Sequence, residues 1–303
     1  MEKTDFDVII IGGSFAGLSA AMTLGRAVRT VLIIDAGKPC NRQTPHSHNF
    51  LTQDGVAPAE IAAIARKQVL AYPTVNFESD AVVQVSGVNN DFTIATASGK
   101  EFSAKKILLA TGVKDLMPEI PGFAACWGIS VIHCPYCHGY EYREQSTGIL
   151  ANGEMAFEFV KLIDNWTKKL TLFTNGKADF SLEKFEKIKN PNFEIIEKEI
   201  KELVHENGYL KRVLFTDESS QELDALYARV AFTQHTDIPV KLGCLLNKTG
   251  FIETDEYKKT SVAGVYAAGD NTSPFRAVSM ATAAGTLAGA SLNKELIEDQ
   301  YPL

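Results

Sequence analysis

Hydrophobic positions along the chain fall into repeated blocks. Val8 to Ile11 are four consecutive β-branched residues that stop at Gly12-Gly13, the pattern of a short strand buried on both faces. From Ala16 to Arg29 the period becomes helical, with Leu18, Ala21, Met22 and Leu24 on one side. Residues 30–35, Thr-Val-Leu-Ile-Ile-Asp, repeat the buried-strand pattern. Strand, glycine turn, helix and strand together make a βαβ unit. Residues 92–112 read as a hairpin turned at Ser98-Gly99 and followed by another buried strand.

The same succession returns later. Residues 147–153 predict a strand running into a glycine turn, 154–166 a helix, and 169–176 a strand with a turn. Between residues 193 and 215, two alternating runs flank Asn207-Gly208, a dipeptide suited to a two-residue hairpin. Residues 225–233 supply a last strand. Even the leads match, Val-Asn-Phe-Glu from residue 75 against Pro-Asn-Phe-Glu from residue 191. Two copies of one plan predict an α/β chain with two Rossmann-like, three-layer domains. Residues 264–270, Gly-Val-Tyr-Ala-Ala-Gly-Asp, and a small-residue helix over 279–296 are too short for a third domain and must complete one of the two. The charged stretch 177–190 reads as a solvated helix face.

Composition adds limits. A chain of 303 residues exceeds one ordinary core, and 45% hydrophobic with 22% charged residues is the balance of a soluble globular protein. The net charge is −7 and no Lys/Arg cluster forms a basic stripe, which argues against nucleic acid as a partner. The N-terminal apolar run is shorter than the about 7–15 residues of a secretory segment. No run approaches the roughly 18 that span a bilayer. A cytoplasmic protein with no membrane partner is expected. Five cysteines, at 40, 126, 134, 137 and 244, are few and odd in number and imply no structural disulfide framework.

Gly12, Ser14 and Gly17 stand where a dinucleotide fingerprint expects three glycines, between a strand and a helix. The first allows the tight turn, the second the approach of a pyrophosphate to the helix N-terminus, and the third close packing of helix on strand. Ser14 departs from the pattern but is small and adds a hydroxyl donor. Asp35 closes the second strand 18 residues after Gly17, a spacing suited to a ribose hydroxyl.

The fingerprint at 9–21, Leu-Leu-Ala-Thr-Gly at 108–112, Cys-Pro-Tyr-Cys at 134–137 and Thr-Ser-Val-Ala-Gly-Val-Tyr-Ala-Ala-Gly-Asp at 260–270 occur in this order. Together they resemble the thioredoxin reductase family of flavoprotein disulfide reductases over essentially the whole chain. The resemblance implies one domain inserted into the other. FAD-binding parts would be 1–114 and 239–303, around a nicotinamide-type domain, 115–238, that carries the cysteine pair. It also implies FAD held with help from Gly112, from Asp270 at the ribityl–phosphate region, and from a helix starting near Met280–Ala283 whose positive end faces the flavin ring. Residues 41–55 would lie along the flavin, and His46 and His48 there are either active-site groups or solvated loop residues.

The second domain departs from the family. Ala151 replaces its first glycine, Gly153 survives and Ala156 fills the third place. The family's reductases carry an arginine pair for the NADPH 2′-phosphate where this chain has Thr174, Asn175 and Gly176. NADPH use is therefore open. The domain either grips it with a different arginine or in a looser binding mode, or has lost its nucleotide, as in the dithiol oxidases and nicotinamide-independent reductases that resemble this family.

His133-Cys134-Pro135-Tyr136-Cys137-His138 admits four chemistries. Cys-x-x-Cys-His matches c-type haem attachment, and the four outer side chains could be zinc ligands, although they are too close in sequence to surround one ion readily. The cysteines could also be inert and buried. The remaining reading is a reversible dithiol, with the two-residue spacing at a helix start, Pro135 in the first turn and a neighbouring imidazolium favouring thiolate. By resemblance, Cys137 exchanges electrons with the flavin, Cys134 meets the outside substrate, and His138 replaces the usual acidic acid/base residue, a replacement also familiar in the dithiol-oxidase branch. The expected protein is an FAD-dependent thiol-disulfide oxidoreductase, a homodimer by resemblance, acting on a thioredoxin-like protein or a small dithiol or disulfide. An ordinary NADPH-dependent thioredoxin reductase and a non-catalytic flavin redox sensor are the alternatives.

Overall fold

The structure, a computed structural model, describes residues 4–188 and 190–301. The chain divides into two compact units. The first takes residues 1–42, 50–114 and 232–303, and the second takes 43–49 and 115–231. The return therefore falls seven residues before the expected 238/239, and a short loop segment of the first stretch belongs to the second unit.

The first unit begins with β1 (Thr4–Ile11), α1 (Phe15–Arg26), β2 (Val31–Asp35), α2 (Pro58–Val69) and β3 (Val75–Ser79). It continues with β4 (Val82–Val88), β5 (Asp91–Thr96) and β6 (Glu101–Leu109). A connecting strand, β7 (Val113–Leu116), leads to the second unit. That unit holds α3 (Phe123–Cys126), β8 (Val131–Ile132), α4 (Pro135–His138), β9 (Thr147–Leu150), α5 (Glu154–Ile163) and β10 (Leu170–Phe173). After them come β11 (Glu194–Ile196), β12 (Ile200–Glu206), β13 (Tyr209–Phe215), β14 (Ser220–Glu222) and β15 (Ala225–Ala228). The chain returns through β16 (Ala231–Gln234) and α6 (Ile238–Lys241), then ends with β17 (Val265–Ala267) and α7 (Val278–Gln300).

The expected repeat is present in the strand orders. In the first unit β3-β2-β1-β6-β17 are parallel neighbours, and β4-β5-β6 form an antiparallel branch. In the second, β11-β10-β9-β15-β8 are parallel, and β12-β13-β14 form a separate antiparallel sheet. The last place in each parallel sheet is filled from opposite directions. β17 arrives after the second unit and β8 before the rest of it, which is the topology of an insertion. Asn207 and Gly208 turn the β12–β13 hairpin with φ of 52° and 85°, both left-handed as a two-residue turn requires.

Alternation along β1 separates two cores. Val8 and Ile10 pack with Leu18, Leu24 and Leu292 on the helical side. Ile9 and Ile11 pack with Leu32, Ile34, Phe92 and Ile252 on the other. The C-terminal helix completes the first unit because its small residues let it approach α1. A Cβ on Gly285 would stand 2.1 Å from the Ala16 carbonyl oxygen, and one on Gly289 would stand 2.8 Å from that of Ala20. Ser19 Oγ then donates to the Thr282 carbonyl at 2.8 Å.

Two local expectations are corrected. Residues 225–233 do not form one strand. They break between Ala228 and Ala231, where the chain leaves the second unit. The charged stretch 177–190 is not a solvated helix. It contains a six-residue 3-10 turn, Leu182–Lys187, whose Phe185 is buried against Phe157, Phe180 and Phe193. Its residue 189 lies outside the described residues.

Candidate functional site

In the first unit the strand order reverses between β1 and β6, and open α/β sheets bind ligands beyond the strand ends at such a point. Gly12 sits there with φ of 110°, and a Cβ on it would come within 2.2 Å of the Ala110 carbonyl oxygen. A Cβ on Gly17 would come within 1.9 Å of the Gly12 carbonyl oxygen, so only glycine lets α1 start this close to β1. Ser14 is the N-cap of α1 and makes no side-chain cap bond, and the first turn carries no acidic residue. The helix end is thus open to an anion.

Asp35 closes this end of the crevice. Its carboxylate accepts the Gly13 N–H at 2.5 Å and the Gly37 N–H at 2.7 Å, which fixes both oxygens beside the glycine turn. A Cβ at Gly112 would meet nothing within 4 Å, so the backbone there faces open space. Asp270 lies 3.6 Å from Nε of Arg276 and 3.8 Å from the Cys40 sulfur. Asn271, which sequence reasoning missed, is buried beside it. Its Nδ2 donates to the Leu109 carbonyl at 2.8 Å, while its buried Oδ1 has no protein partner. A polar residue next to the Gly269-Asp270 pair was the signal available.

The last helix begins at Val278, with no acidic residue in its first turn. Its open amides are those of Val278 to Met280, and exposed Ala283 lies one turn further in. All seven residues expected at the cofactor, Gly12, Ser14, Gly17, Asp35, Gly112, Asp270 and Ala283, belong to the one unit. An open helix end, a carboxylate closing the second strand beside it and an orphaned buried amide oxygen fit a flavin dinucleotide.

The second unit carries the cysteine pair. Cys134 is extended at the N-cap of α4 and Pro135 occupies its first turn. The N–H groups of Cys137 and His138 both lie 3.2 Å from the Cys134 carbonyl oxygen, and this single turn brings the two sulfurs to 2.6 Å. The hydrogen bond from the Cys137 thiol, helped by the N–H groups of Cys137 and Tyr136, outweighs burial and holds the Cys134 thiol down at about 7. Burial instead pushes the thiols of Cys126 and Cys244 up, leaving them inert.

His138 differs from the expectation of a neighbouring imidazolium. Burial, and next the charge of His48, hold it down at about 4, so at neutral pH it is a neutral base. The Cys134 thiolate is favoured by sulfur and amide donors rather than by this ring. His48 is no solvated loop residue: Nε2 lies 3.6 Å from Glu141 Oε1, and its ring stands edge-on to His138 at 6.4 Å. His133 stacks on Trp127 at 5.7 Å. Among the described residues, no group of three or more His, Cys, Asp or Glu side chains is arranged to hold a metal ion. Nor does any described helix have the length and apolarity to cross a membrane.

At the glycine turn of the second unit, side chains bond to the local backbone. Asn152 Nδ2 donates to the carbonyls of Thr174 and Lys177 at 3.2 and 3.0 Å. Its Oδ1 accepts the N–H groups of Gly153 and Asp179 at 2.9 and 2.8 Å. Buried Thr174 donates to the Gly176 carbonyl at 2.6 Å, and Asn175 Oδ1 accepts the Ile200 N–H at 2.7 Å.

Residues 6–285 match the profile of the pyridine nucleotide-disulphide oxidoreductase family. The thioredoxin reductase aclD of Aspergillus oryzae is 33% identical, covering 97% of this chain and 98% of its own. The thioredoxin reductase sirT of Leptosphaeria maculans is also 33% identical, over 95% of this chain and 93% of its own. The crystal structure of an oxidoreductase from Agrobacterium tumefaciens superposes with a TM-score of 0.91 at 36% identity, covering 99% of this chain and 100% of that one.

Proposed function

The chain belongs to the pyridine nucleotide-disulphide oxidoreductases, among the thioredoxin reductases, and we propose that it oxidises dithiols through Cys134 and Cys137 without using NADPH. It is a flavin-dependent disulfide oxidoreductase with FAD as its cofactor. The observation that carries the finer reading is Asn152, whose four hydrogen bonds knit the ends of β9 and β10 together where a second nucleotide would enter. Thr174 and Asn175 are likewise spent on backbone partners and offer a phosphate no charge. A charge-assisted hydrogen bond contributes about 1.5–3 kcal/mol, so the loss of two arginines weakens NADPH binding by roughly two to four orders of magnitude. The competing reading, an ordinary NADPH-dependent thioredoxin reductase, has exposed Lys177 in the same loop in its favour.

The protein's own groups account for the thiol chemistry. Neutral His138 takes the proton of an incoming thiol. The thiolate attacks the Cys134 sulfur of the oxidised pair, the Cys134–Cys137 bond breaks, and Cys137 leaves as thiolate and collects the proton. The second substrate thiolate attacks the sulfur now joined to Cys134, and Cys134, its thiol held down at about 7, leaves. Bound FAD supplies the two-electron acceptor that reoxidises the pair, with dioxygen as final acceptor, so that HS–R–SH and O2 give the cyclic disulfide and H2O2. The substrate is a thioredoxin-like protein or a small dithiol, and the enzyme works as a cytoplasmic homodimer on this reading.

Anaerobic stopped flow tests it. Dithiothreitol should bleach the flavin, whereas about 100 μM NADPH, below the weakened affinity, should do so more slowly than about 1 s⁻¹. Faster reduction by NADPH restores the ordinary reductase.

A further inference from the structure

His48 comes from a segment, residues 43–49, that the sequence order assigns to the flavin unit but the fold gives to the dithiol unit. Gln43 anchors that segment by donating to the Trp127 carbonyl at 2.7 Å. Ser47 beside His48 is buried. The imidazole of His48 is one-fifth exposed, lies 3.6 Å from the Glu141 carboxylate, and meets the His138 ring edge-on at 6.4 Å. His46, exposed, follows at 6.3 Å from His48. Glu141 is itself three residues beyond His138, so the carboxylate and the ring that His48 bridges lie on the same short stretch of chain.

We propose that His48, held by Glu141, is a positioning residue that sets a positive charge beside His138 and keeps His138 in its neutral, proton-accepting form during dithiol turnover. The inference rests on the dithiol reading above. An imidazolium at 48 repels a second proton on His138 while Glu141 compensates its own charge. Burial alone would still hold His138 down, but without the charge at 48 the ring would keep its proton to a higher pH, and the substrate thiol would lose its acceptor over that added range. The other ionisable groups around the pair do not supply this effect. Cys134 and Cys137 carry no positive charge on the same turn. Tyr227 on β15 lies within electrostatic range of both cysteines and Glu141, and burial pushes its hydroxyl far up. Burial pushes Tyr142 up to about 12. Both tyrosines are neutral wherever His138 titrates.

The test uses the full-length, FAD-loaded protein as wild type, His48→Gln and His48→Lys. Two measurements are made from about pH 3 to 7, which brackets the His138 midpoint at about 4: kcat/KM for oxygen-dependent dithiothreitol oxidation, and the NMR titration of the His138 ring. In His48→Gln, the acidic limb and the His138 midpoint should move up by about one pH unit, the shift expected of a unit charge at this separation. In His48→Lys, which keeps a charge but not a ring, both should stay near wild type. Flavin absorbance should be the same in all three. A glutamine variant whose limb and midpoint coincide with wild type overturns the proposal, as does a lysine variant that behaves like glutamine. Wild type that turns over no dithiol defeats the functional reading instead, and the NMR titration then still decides the role of His48.

Discussion

The ammonium of Lys106, fully buried in the middle of β6, lies 2.8 Å from Glu295 and 2.6 Å from Asp299 on α7. Asn89 accepts from the same ammonium at 2.6 Å, and Glu295 also binds Lys259 and the Tyr266 hydroxyl. The C-terminal helix is thereby fastened to a strand at the centre of the first unit.

Breaking this network from its buried centre should be costly, because Glu295 and the Asn89 amide oxygen lose the buried ammonium that joins them, although Asp299 is exposed enough to turn to water. Lys106→Met should lower stability by about 3 kcal/mol, read as a shift of the urea midpoint. The pH dependence has a definite sign. Burial would push Glu295 up, but the bonds from Lys106, Lys259 and Tyr266 outweigh it and hold Glu295 down at about 2. Its contribution is therefore complete above the ordinary carboxylate range and lost as pH falls from there toward about 2. A variant with the wild-type acid limb would contradict this.

Asp35 braces the glycine turn by accepting the N–H groups of Gly13 and Gly37. Asp35→Ala removes an acceptor and frees two amides, at about 1–3 kcal/mol. FAD release on ultrafiltration should rise by roughly five- to a hundredfold. Retention equal to wild type would mean the flavin is held elsewhere.

The lowered Cys134 thiol makes a chemical prediction for the reduced enzyme. Alkylation of Cys134 by iodoacetamide, followed by peptide mapping, should rise through about pH 7. An unperturbed cysteine reacts about 1.5 pH units higher. Cys126 should stay unmodified until the protein unfolds, because burial pushes its thiol up. A Cys134 profile centred near pH 8.5 would count against the hydrogen bonds described.

Much of this was legible in the chain. The strands at 8–11, 31–35 and 147–150, the helix at 15–26 and the Asn207-Gly208 turn follow from local periodicity and local backbone preference. Each is decided within a few residues. The glycine turn between β1 and α1 was legible for the same reason, since Gly12, Gly17 and Asp35 answer to steric demands at a fixed spacing on one βαβ unit.

Tertiary structure decided what depends on residues far apart in sequence. Asn152 carries no signal in sequence, where Ala151 beside it marks the lost glycine, and only its distances to Thr174, Lys177 and Asp179 make it a strut across the second turn. His48 reads as a loop histidine until Glu141 and His138 are brought beside it. Phe185 hides in a charged stretch because its aromatic partners are distributed from residue 157 to 193. Lys106 looks like an ordinary strand lysine, yet it is buried because two carboxylates nearly two hundred residues later return to meet it. Local pattern records which backbone a segment prefers, whereas the charge and solvation of a side chain are set by whatever the fold packs against it.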